Sequence, residues 1–215
     1  MNPPAVKPPR RAVNPERQAH RREQILDGAT EVFAEFGYPD TDMQVIADRL
    51  QVGKGTLYRY FPSKRELFLA AVDRVMRRLR QQVEAEAGAA ADPLDRIALA
   101  IRAYLDFFAN RPQLVELLIQ ERAQFKDRPQ PTYFEHQEAN VECWRDLYRG
   151  LIADGRVRDM PVERITDVMS DLLYGTMFTN YFAGRRKPSD VQAQDILDVV
   201  FHGILSGPER QRRGA

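Results

Sequence analysis

The stretch of residues 41–64 constrains the fold more than any other part of the chain, because its apolar residues follow the spacing of two short helices. In the first helix they recur at i, i+3, i+4 and i+7, which is the spacing of one buried face. In the second helix only the i, i+4 pair of Leu57 and Phe61 has to point inward. With Val52 at the corner, the two helices predict a helix-turn-helix. The buried face of the first helix consists of Met43, Ile46, Ala47 and Leu50.

The second helix leaves a polar, basic and aromatic face with no core to bury it, and such a face suits a phosphate backbone and base edges. The apolar run at 25–36, with Gly37 as a left-handed terminator, predicts a preceding helix that shares the same small core. Thr41 and Gln44 match a capping box, although the Thr41 hydroxyl could equally face a phosphate. The exposed face carries Lys54, Gly55, Thr56, Arg59 and Tyr60.

Residues 24–70 resemble the amino-terminal domain of tetracycline-repressor-type (TetR family) regulators, above all in the run VGKGTLYRYF at 52–61. The resemblance implies an all-α protein of about nine helices, in which this domain binds DNA and later helices bind a ligand and dimerise. It places Tyr58 and Lys64 on phosphates and Thr41 at the DNA backbone. The positions that it places near base edges are Gln44, Lys54, Thr56, Arg59 and Tyr60, and Gly53 and Gly55 complete the expected DNA-binding set.

The turn departs from the family pattern at two positions, with Gln51 where the family usually has Gly and Gly53 where it usually has Ser. A left-handed Gln costs about 1 to 2 kcal/mol. Gly53 compensates if it lets the backbone approach a phosphate, since Gly is an acceptable N-cap. A nucleotide-binding P-loop is excluded, because Asp48 and Gly55 stand where that motif needs Gly and a hydroxyl residue.

Charge is distributed unevenly along the chain. Residues 1–80 hold fifteen Lys or Arg against ten Asp or Glu, a net charge of +5, and residues 81–215 have a net charge of −4. A basic amino-terminal half attracts phosphates, as expected of a DNA reader with a separate sensing body. No run of eighteen apolar residues and no secretion signal occurs. We therefore expect a cytoplasmic protein with no membrane partner, and the single Cys143 agrees.

Three regions are expected: a Pro-rich arm at 1–20, the DNA-binding domain at 21–70 and a ligand-sensing and dimerisation domain at 71–215. Basic residues of the arm could follow phosphates or enter a minor groove, or the arm could be a solvated tail. The basic residues of the arm are Lys7, Arg10, Arg11 and Arg17.

Six later helices are expected. The first runs from Ser63 to about Ala87, the second from Pro93 to Asn110, and a shorter third one follows to about Phe125. The last three run from Thr132 to Asp154, from Pro161 to about Ala183, and from a Ser189 or Asp190 cap to about Leu205.

Aromatic residues recur at helical spacing in the larger domain. From the residues alone they indicate plain core, whereas the resemblance implies a cavity for a small apolar or amphipathic effector. A carboxylate at Asp171 among rings could recognise a cation, or it could pair with an Arg. The candidate pocket consists of Tyr104, Phe108, Trp144, Tyr148, Asp171, Tyr174 and Phe178.

The last two long helices present small and apolar residues that permit close helix approach. A four-helix bundle of two copies would use them, as the family's homodimer does, and two-fold symmetry would make the operator an inverted repeat. The candidate interface consists of Val168, Leu172, Gly175, Ile196, Val199, Val200 and Gly203.

Catalytic motifs are absent from the sequence, and neither a cofactor nor a metal is expected. His136 near Glu135 and Glu138 as a metal fragment and Cys143 as a redox sensor are the alternatives considered. We expect a homodimeric repressor that a small molecule releases from palindromic operator DNA. A protein of this fold that is constitutive or answers to a protein partner is the alternative, and a helical enzyme is third.

Overall fold

The computed structural model describes residues 15–203, and within that range the regular secondary structure is entirely helical. The expected all-α fold is confirmed, with nine helices in the described part. They are α1 (Pro15–Asp40), α2 (Met43–Arg49), α3 (Lys54–Tyr60), α4 (Lys64–Ala87), α5 (Pro93–Ala109), α6 (Gln113–Gln124), α7 (Thr132–Ala153), α8 (Val162–Ala183) and α9 (Ser189–His202).

The chain divides into two compact units, with the boundary inside α4 between Ala71 and Val72. In the first unit, α2 packs against both α1 and α3. Most of their shared core is the one that the apolar spacing predicts, because each helix turns one stripe inward. Two predicted members differ: Leu50 is half-buried and Phe36 is 44% exposed. The largest buried side chains of this core are Ile25, Leu26, Phe33, Ile46, Leu57 and Phe68.

In the second unit, α5 is the central helix and packs against α8 and α9, while α7 packs against α8. The start of α5 is set locally: the Asp92 carboxylate accepts hydrogen bonds from the backbone N–H groups of Leu94 and Asp95, and Pro93 occupies the first turn. At the other end of the unit, Gly184 ends α8 in the left-handed conformation, with φ of 60°. No helix among residues 15–203 has the length and apolar character needed to cross a membrane.

A buried ion pair ties α6 to the loop before α7. Glu121, only 1% exposed, accepts hydrogen bonds from the Thr132 backbone N–H at 2.9 Å and from the Thr132 hydroxyl at 2.7 Å. The Arg128 guanidinium binds the same carboxylate oxygen and also reaches Glu135 at 2.8 Å. Glu121 is therefore held by three donors, which fix the path of the loop between the two helices.

Helix boundaries differ from the predicted ones at three places. Helix α1 already begins at Pro15, so residues 15–20 are helical and not part of an arm, because Glu, Arg, Gln and Ala all favour a helix. Gly37, with φ of 80° and ψ of 160°, interrupts α1 in the predicted left-handed conformation, but helical residues follow it as far as Asp40. Pro188 precedes α9 as its N-cap, and Ser189 is already its first residue. Residues outside the described range include Lys7, Arg10, Arg11 and Leu205.

Candidate DNA-reading surface and ligand cavity

The turn between α2 and α3 contains Gln51 in a left-handed conformation, with φ of 52°. It is held there by hydrogen bonds from the Gln51 N–H to Asp48 and from the Val52 N–H to Ala47, at 3.1 and 2.9 Å. Gly53 is the N-cap of α3, and a Cβ added to it would meet nothing within 4 Å. The departure from the family's turn residues thus leaves the helix-turn-helix intact, with open space in front of Gly53.

Helix α3 buries Leu57 and turns its polar face outward. The Tyr58 side chain is 45% exposed, and the Arg59 guanidinium lies 5.2 Å from the ring centroid of Tyr60. Helix α3 therefore presents donors and an aromatic ring together, as a contact with phosphates and bases requires. Gly53, Gly55, Tyr58 and Arg59 are exposed, and Lys54, Thr56 and Tyr60 are half-buried.

An ion pair joins the two helices of the motif, since the Lys54 ammonium lies 3.0 Å from the Asp42 carboxylate. Asp42 is the N-cap of α2 and accepts a hydrogen bond of 2.6 Å from the Gln44 backbone N–H. This bond, and secondarily that from Lys54, lowers the pKa of Asp42. The predicted capping box was wrong, because Asp42 and not Thr41 caps the helix. The Gln44 side chain is exposed and donates to Asp48 at 2.7 Å.

Thr41 and Lys64 are placed differently from the expected phosphate contacts. Thr41 is 1% exposed, and its hydroxyl donates to the Gly37 carbonyl at 2.6 Å, so it presents no group to DNA in this conformation. The Lys64 ammonium donates to the carbonyls of Tyr38 and Thr41 at 2.7 and 2.8 Å. A lysine that caps the free carbonyls at the end of α1 serves the fold of the first unit.

The second unit contains a cavity of about 200 Å³ whose walls come from α4, α5, α7 and α8. Three of the predicted pocket residues line it, namely Tyr104, Trp144 and Tyr148. Most of the remaining wall is apolar, as ligand pockets usually are. The apolar lining includes Met76, Leu79, Val83, Ile97, Ile101, Val141, Met169 and Leu173.

Four predicted pocket residues do not line this cavity. Helix α8 turns Thr166, Met169 and Leu173 toward it, and this face excludes the stripe that carries Tyr174 and Phe178. Those two rings instead contact each other edge to face, with centroids 4.8 Å apart. Phe108 is buried against Tyr104 and Phe107, and Asp171 is exposed. The aromatic spacing was correct, but the rotation of α8 about its axis depends on tertiary packing and cannot be read from spacing.

Several polar residues of the cavity wall escaped the sequence reasoning, which looked for the pocket mainly among aromatic residues. The hydroxyls of Tyr104 and Tyr133 lie 2.9 Å apart, and burial raises the pKa of Tyr133 to about 12. His136 binds Asp73 at 2.8 Å. Tyr133, His136, Gln137, Asn140, Trp144 and Tyr148 share one face of α7, and this i, i+3, i+4 pattern was the signal that could have revealed them.

The candidate dimer face is accessible on both helices. Val168 of α8 is 55% exposed and Val199 of α9 is 49% exposed. Phe182, which the sequence reasoning missed, is 71% exposed on α8. Large apolar groups open to solvent at several turns mark a surface suited to a partner. Of the other predicted residues, Gly175 and Gly203 are exposed, and Leu172, Ile196 and Val200 are half-buried.

The geometry does not support the two alternatives, a metal site at His136 and a redox sensor at Cys143. In the part of the chain from 15 to 203, no group of three or more His, Cys, Asp or Glu residues is arranged to hold a metal ion. Desolvation raises the pKa of the Cys143 thiol, and the charge of Glu84 adds to the effect. A raised pKa reduces the thiolate fraction on which cysteine reactivity depends.

Comparison with known proteins assigns these features to one group. The family model described as "Bacterial regulatory proteins, tetR family" matches residues 25–71. The HTH-type transcriptional repressor KstR of Mycolicibacterium smegmatis is 33% identical over 199 residues, which cover 91% of this chain and 92% of that protein. The match to KstR of Mycobacterium tuberculosis, 35% identical over 103 residues, spans about half of that protein's length, 47%.

A further regulator and a solved structure are also similar to this chain. The HTH-type transcriptional regulator YhgD of Bacillus subtilis is 34% identical over 163 residues, 74% of this chain and 83% of that protein. The crystal structure of the regulator FadR from Bacillus subtilis, in complex with stearoyl-CoA, has a TM-score of 0.72 and 20% identity and covers 85% of this chain and 99% of that one. At this identity the structural likeness shows a common fold.

Proposed function

Because the chain belongs to the tetR family of bacterial regulatory proteins, we propose that it is a homodimeric repressor that a small apolar or amphipathic molecule releases from a palindromic operator. The observation that carries this proposal is the α2–α3 motif, whose second helix buries Leu57 and leaves Tyr58 and Arg59 open. The repressor KstR of Mycolicibacterium smegmatis, which is similar over most of its length, supports the sign of regulation.

Helix α3 would enter the major groove with Lys54, Thr56, Arg59 and Tyr60 near base edges. Tyr58 would hold a phosphate, and open space at Gly53 and Gly55 would let the backbone approach closely. Gln44 is exposed beside this surface. Lys64 and Thr41 would act indirectly, by holding the end of α1 and the start of α2 in place.

Two copies would associate through α8 and α9, where Val168, Phe182 and Val199 are exposed. Covering these side chains removes apolar surface from water, which is favourable in proportion to the area. A two-fold axis would then present two α3 helices to half-sites separated by about 34 to 36 Å, one turn of DNA.

Ligand control would act through α4. Its first turns belong to the first unit, and Met76, Leu79 and Val83 farther along the same helix line the cavity. A ligand that prefers a conformation with α4 displaced would depopulate the DNA-binding form. Weakening operator affinity a hundredfold requires a differential affinity of about 2.7 kcal/mol between the two forms, which apolar burial in such a cavity can supply.

Selection of bound fragments from a random DNA pool tests the proposal. We expect an inverted repeat, and we expect Arg59→Ala to lose preference at one position of each half-site, at a cost of about 1 to 3 kcal/mol. Arg102→Ala, in the second unit, is the matched control and should keep the full preference. Enrichment of a sequence without two-fold symmetry would contradict the dimer, and no enrichment at all would contradict operator binding.

A screen for compounds that raise the melting temperature then tests the control by ligand. Each hit is added to the complex of protein and selected operator, and the operator affinity is measured. We expect hits whose effect is lost in Trp144→Ala to weaken operator binding. Hits that stabilise the protein and leave operator affinity unchanged would favour a regulator that is constitutive or answers to a protein partner.

A further inference from the structure

The cavity of the second unit is lined by a buried tyrosine whose hydroxyl is satisfied by no other residue from 15 to 203. Tyr148 on α7 is 5% exposed and lines the cavity. Among residues 15–203 its hydroxyl forms no hydrogen bond. The hydroxyl oxygen retains some accessible surface, and the open space that Tyr148 borders is this cavity.

The other buried hydroxyls of the cavity wall are satisfied within the protein. Tyr104 and Tyr133 bind each other at 2.9 Å, and the Tyr104 hydroxyl is also 3.6 Å from the Met177 sulfur. Thr166 donates to the Val162 carbonyl one turn earlier, at 3.3 Å. Tyr148 thus differs from its neighbours in having a donor that remains available to a bound molecule.

A lone hydroxyl in an apolar site is unfavourable unless it is hydrogen-bonded, and buried tyrosines usually have a partner. Phenylalanine would fill the same space without that cost. Burial raises the pKa of Tyr148 to about 12, so the group is a protonated donor at neutral pH. The Tyr148 hydroxyl can therefore donate a hydrogen bond to an acceptor on a bound ligand.

The acceptor is expected to be neutral. Arg80 on the cavity wall binds Asn140 at 3.3 Å. The backbone of Asn140 is eight residues before that of Tyr148, a rise of about 12 Å along α7. No other cation among the described residues that line the cavity lies closer to Tyr148 than Arg80 does. An anionic group at the Tyr148 end would be desolvated without compensation, whereas a carbonyl or hydroxyl oxygen needs only the one donor.

We propose that Tyr148 determines ligand specificity by donating a hydrogen bond to a neutral oxygen, a ketone or an alcohol, on an otherwise apolar ligand. This inference rests on the proposed control by a small molecule and names the ligand's chemical class. The same site should reject the corresponding hydrocarbon, because a bound hydrocarbon would leave the Tyr148 hydroxyl unpaired.

The test uses pairs of compounds that differ only in one oxygen: cyclododecanone and cyclododecane, benzophenone and diphenylmethane, dicyclohexyl ketone and dicyclohexylmethane. Their affinities for the full chain are measured by calorimetry. In at least one pair we expect the ratio of ketone to hydrocarbon affinity to fall about threefold to tenfold in Tyr148→Phe, the range of one hydrogen bond. Tyr174→Phe, the same change outside the cavity, should leave the ratio unchanged.

Two results would overturn the assignment. One is a wild-type protein that prefers no ketone of the panel, whether both members of each pair bind alike or neither binds. The other is a preference that persists in Tyr148→Phe. If Tyr148→Phe does not fold, the wild-type preference alone decides. A hydrocarbon that binds as well as its ketone and weakens operator affinity would reject the role of Tyr148 and leave the proposed function standing.

Discussion

Lys54, the first residue of α3, forms an ion pair of 3.0 Å with Asp42, the N-cap of α2. The two helices of the motif are thus joined at their amino-terminal ends by side chains that are both accessible to solvent. Because DNA phosphates would compete for the same ammonium group, Lys54 can exchange an internal partner for an external one. Base reading by Lys54 would therefore free Asp42, which retains its bond to the Gln44 N–H.

The pH dependence of stability should report on Asp42. Its pKa is lower in the folded state than in the unfolded chain, first because of the Gln44 N–H and then because of Lys54. Its contribution to stability is therefore fully present above the unfolded pKa of about 3.9 and is lost as the pH falls through the folded value. We expect Asp42→Asn to lower the melting temperature at pH 7, with a difference from wild type that shrinks below about pH 4. A constant difference from neutral pH to pH 3 would contradict this account.

Lys64 should affect DNA binding through the fold and not through counterion release. Its ammonium is committed to the carbonyls of Tyr38, Pro39 and Thr41. We expect Lys64→Met to lower the melting temperature and to weaken binding to all sequences, with the slope of log affinity against log salt unchanged. Lys126→Met, an exposed cation of the second unit, is the control. A slope reduced by about one would instead make Lys64 a direct phosphate ligand.

A charge on the exposed apolar face of α8 or α9 should abolish dimerisation. Val168→Glu and Val199→Glu place a carboxylate at side chains that are 55% and 49% exposed in the single chain, so the fold itself should tolerate them. We expect monomers in sedimentation experiments and weaker operator binding. Phe36→Glu, at a side chain of the first unit that is 44% exposed, should leave the oligomeric state unchanged. Dimers in both α8 and α9 variants would place the interface elsewhere.

The buried carboxylate of Glu121 should contribute more to the free energy of unfolding than the exposed carboxylate of Glu135. Glu121→Leu leaves the Thr132 N–H without its acceptor and removes the buried partner of Arg128, which keeps the exposed Glu135; breaking such a buried pair costs about 3 to 5 kcal/mol of unfolding free energy. Glu135→Leu removes a 45% exposed partner of the same arginine and should cost about 1 kcal/mol or less. Chemical denaturation of both variants measures the difference. Equal losses would show that burial does not set the strength of this network.

Sequence was most informative where structure is determined locally. The start of α5 follows from Asp92 and Pro93, and the corner at Gln51 and Gly53 follows from the turn residues. These features depend on side chains and backbone groups within a few residues of each other. Local signals also have local failures, since Asp42 outcompetes its neighbour Thr41 as the helix cap.

The cavity was predicted only in part, because it depends on which face of each helix meets its neighbours. Trp144 and Tyr148 lie on the inner face of α7, which the spacing indicates. On α8, spacing groups Tyr174 with Phe178 correctly but does not say whether that stripe or the one of Thr166 and Leu173 turns toward α5. That choice is made by the packing of four helices together.

The boundary between the two units inside α4, at Ala71 and Val72, has a consequence for domain exchange among related regulators. A recombinant that joins the reading unit of one protein to the sensing unit of another has to be cut within a helix, where no loop absorbs a mismatch. Each inserted or deleted residue turns everything beyond it by about 100° and shifts it by about 1.5 Å. Functional chimeras should therefore be those whose junction keeps the count of residues between Lys64 and Met76 unchanged.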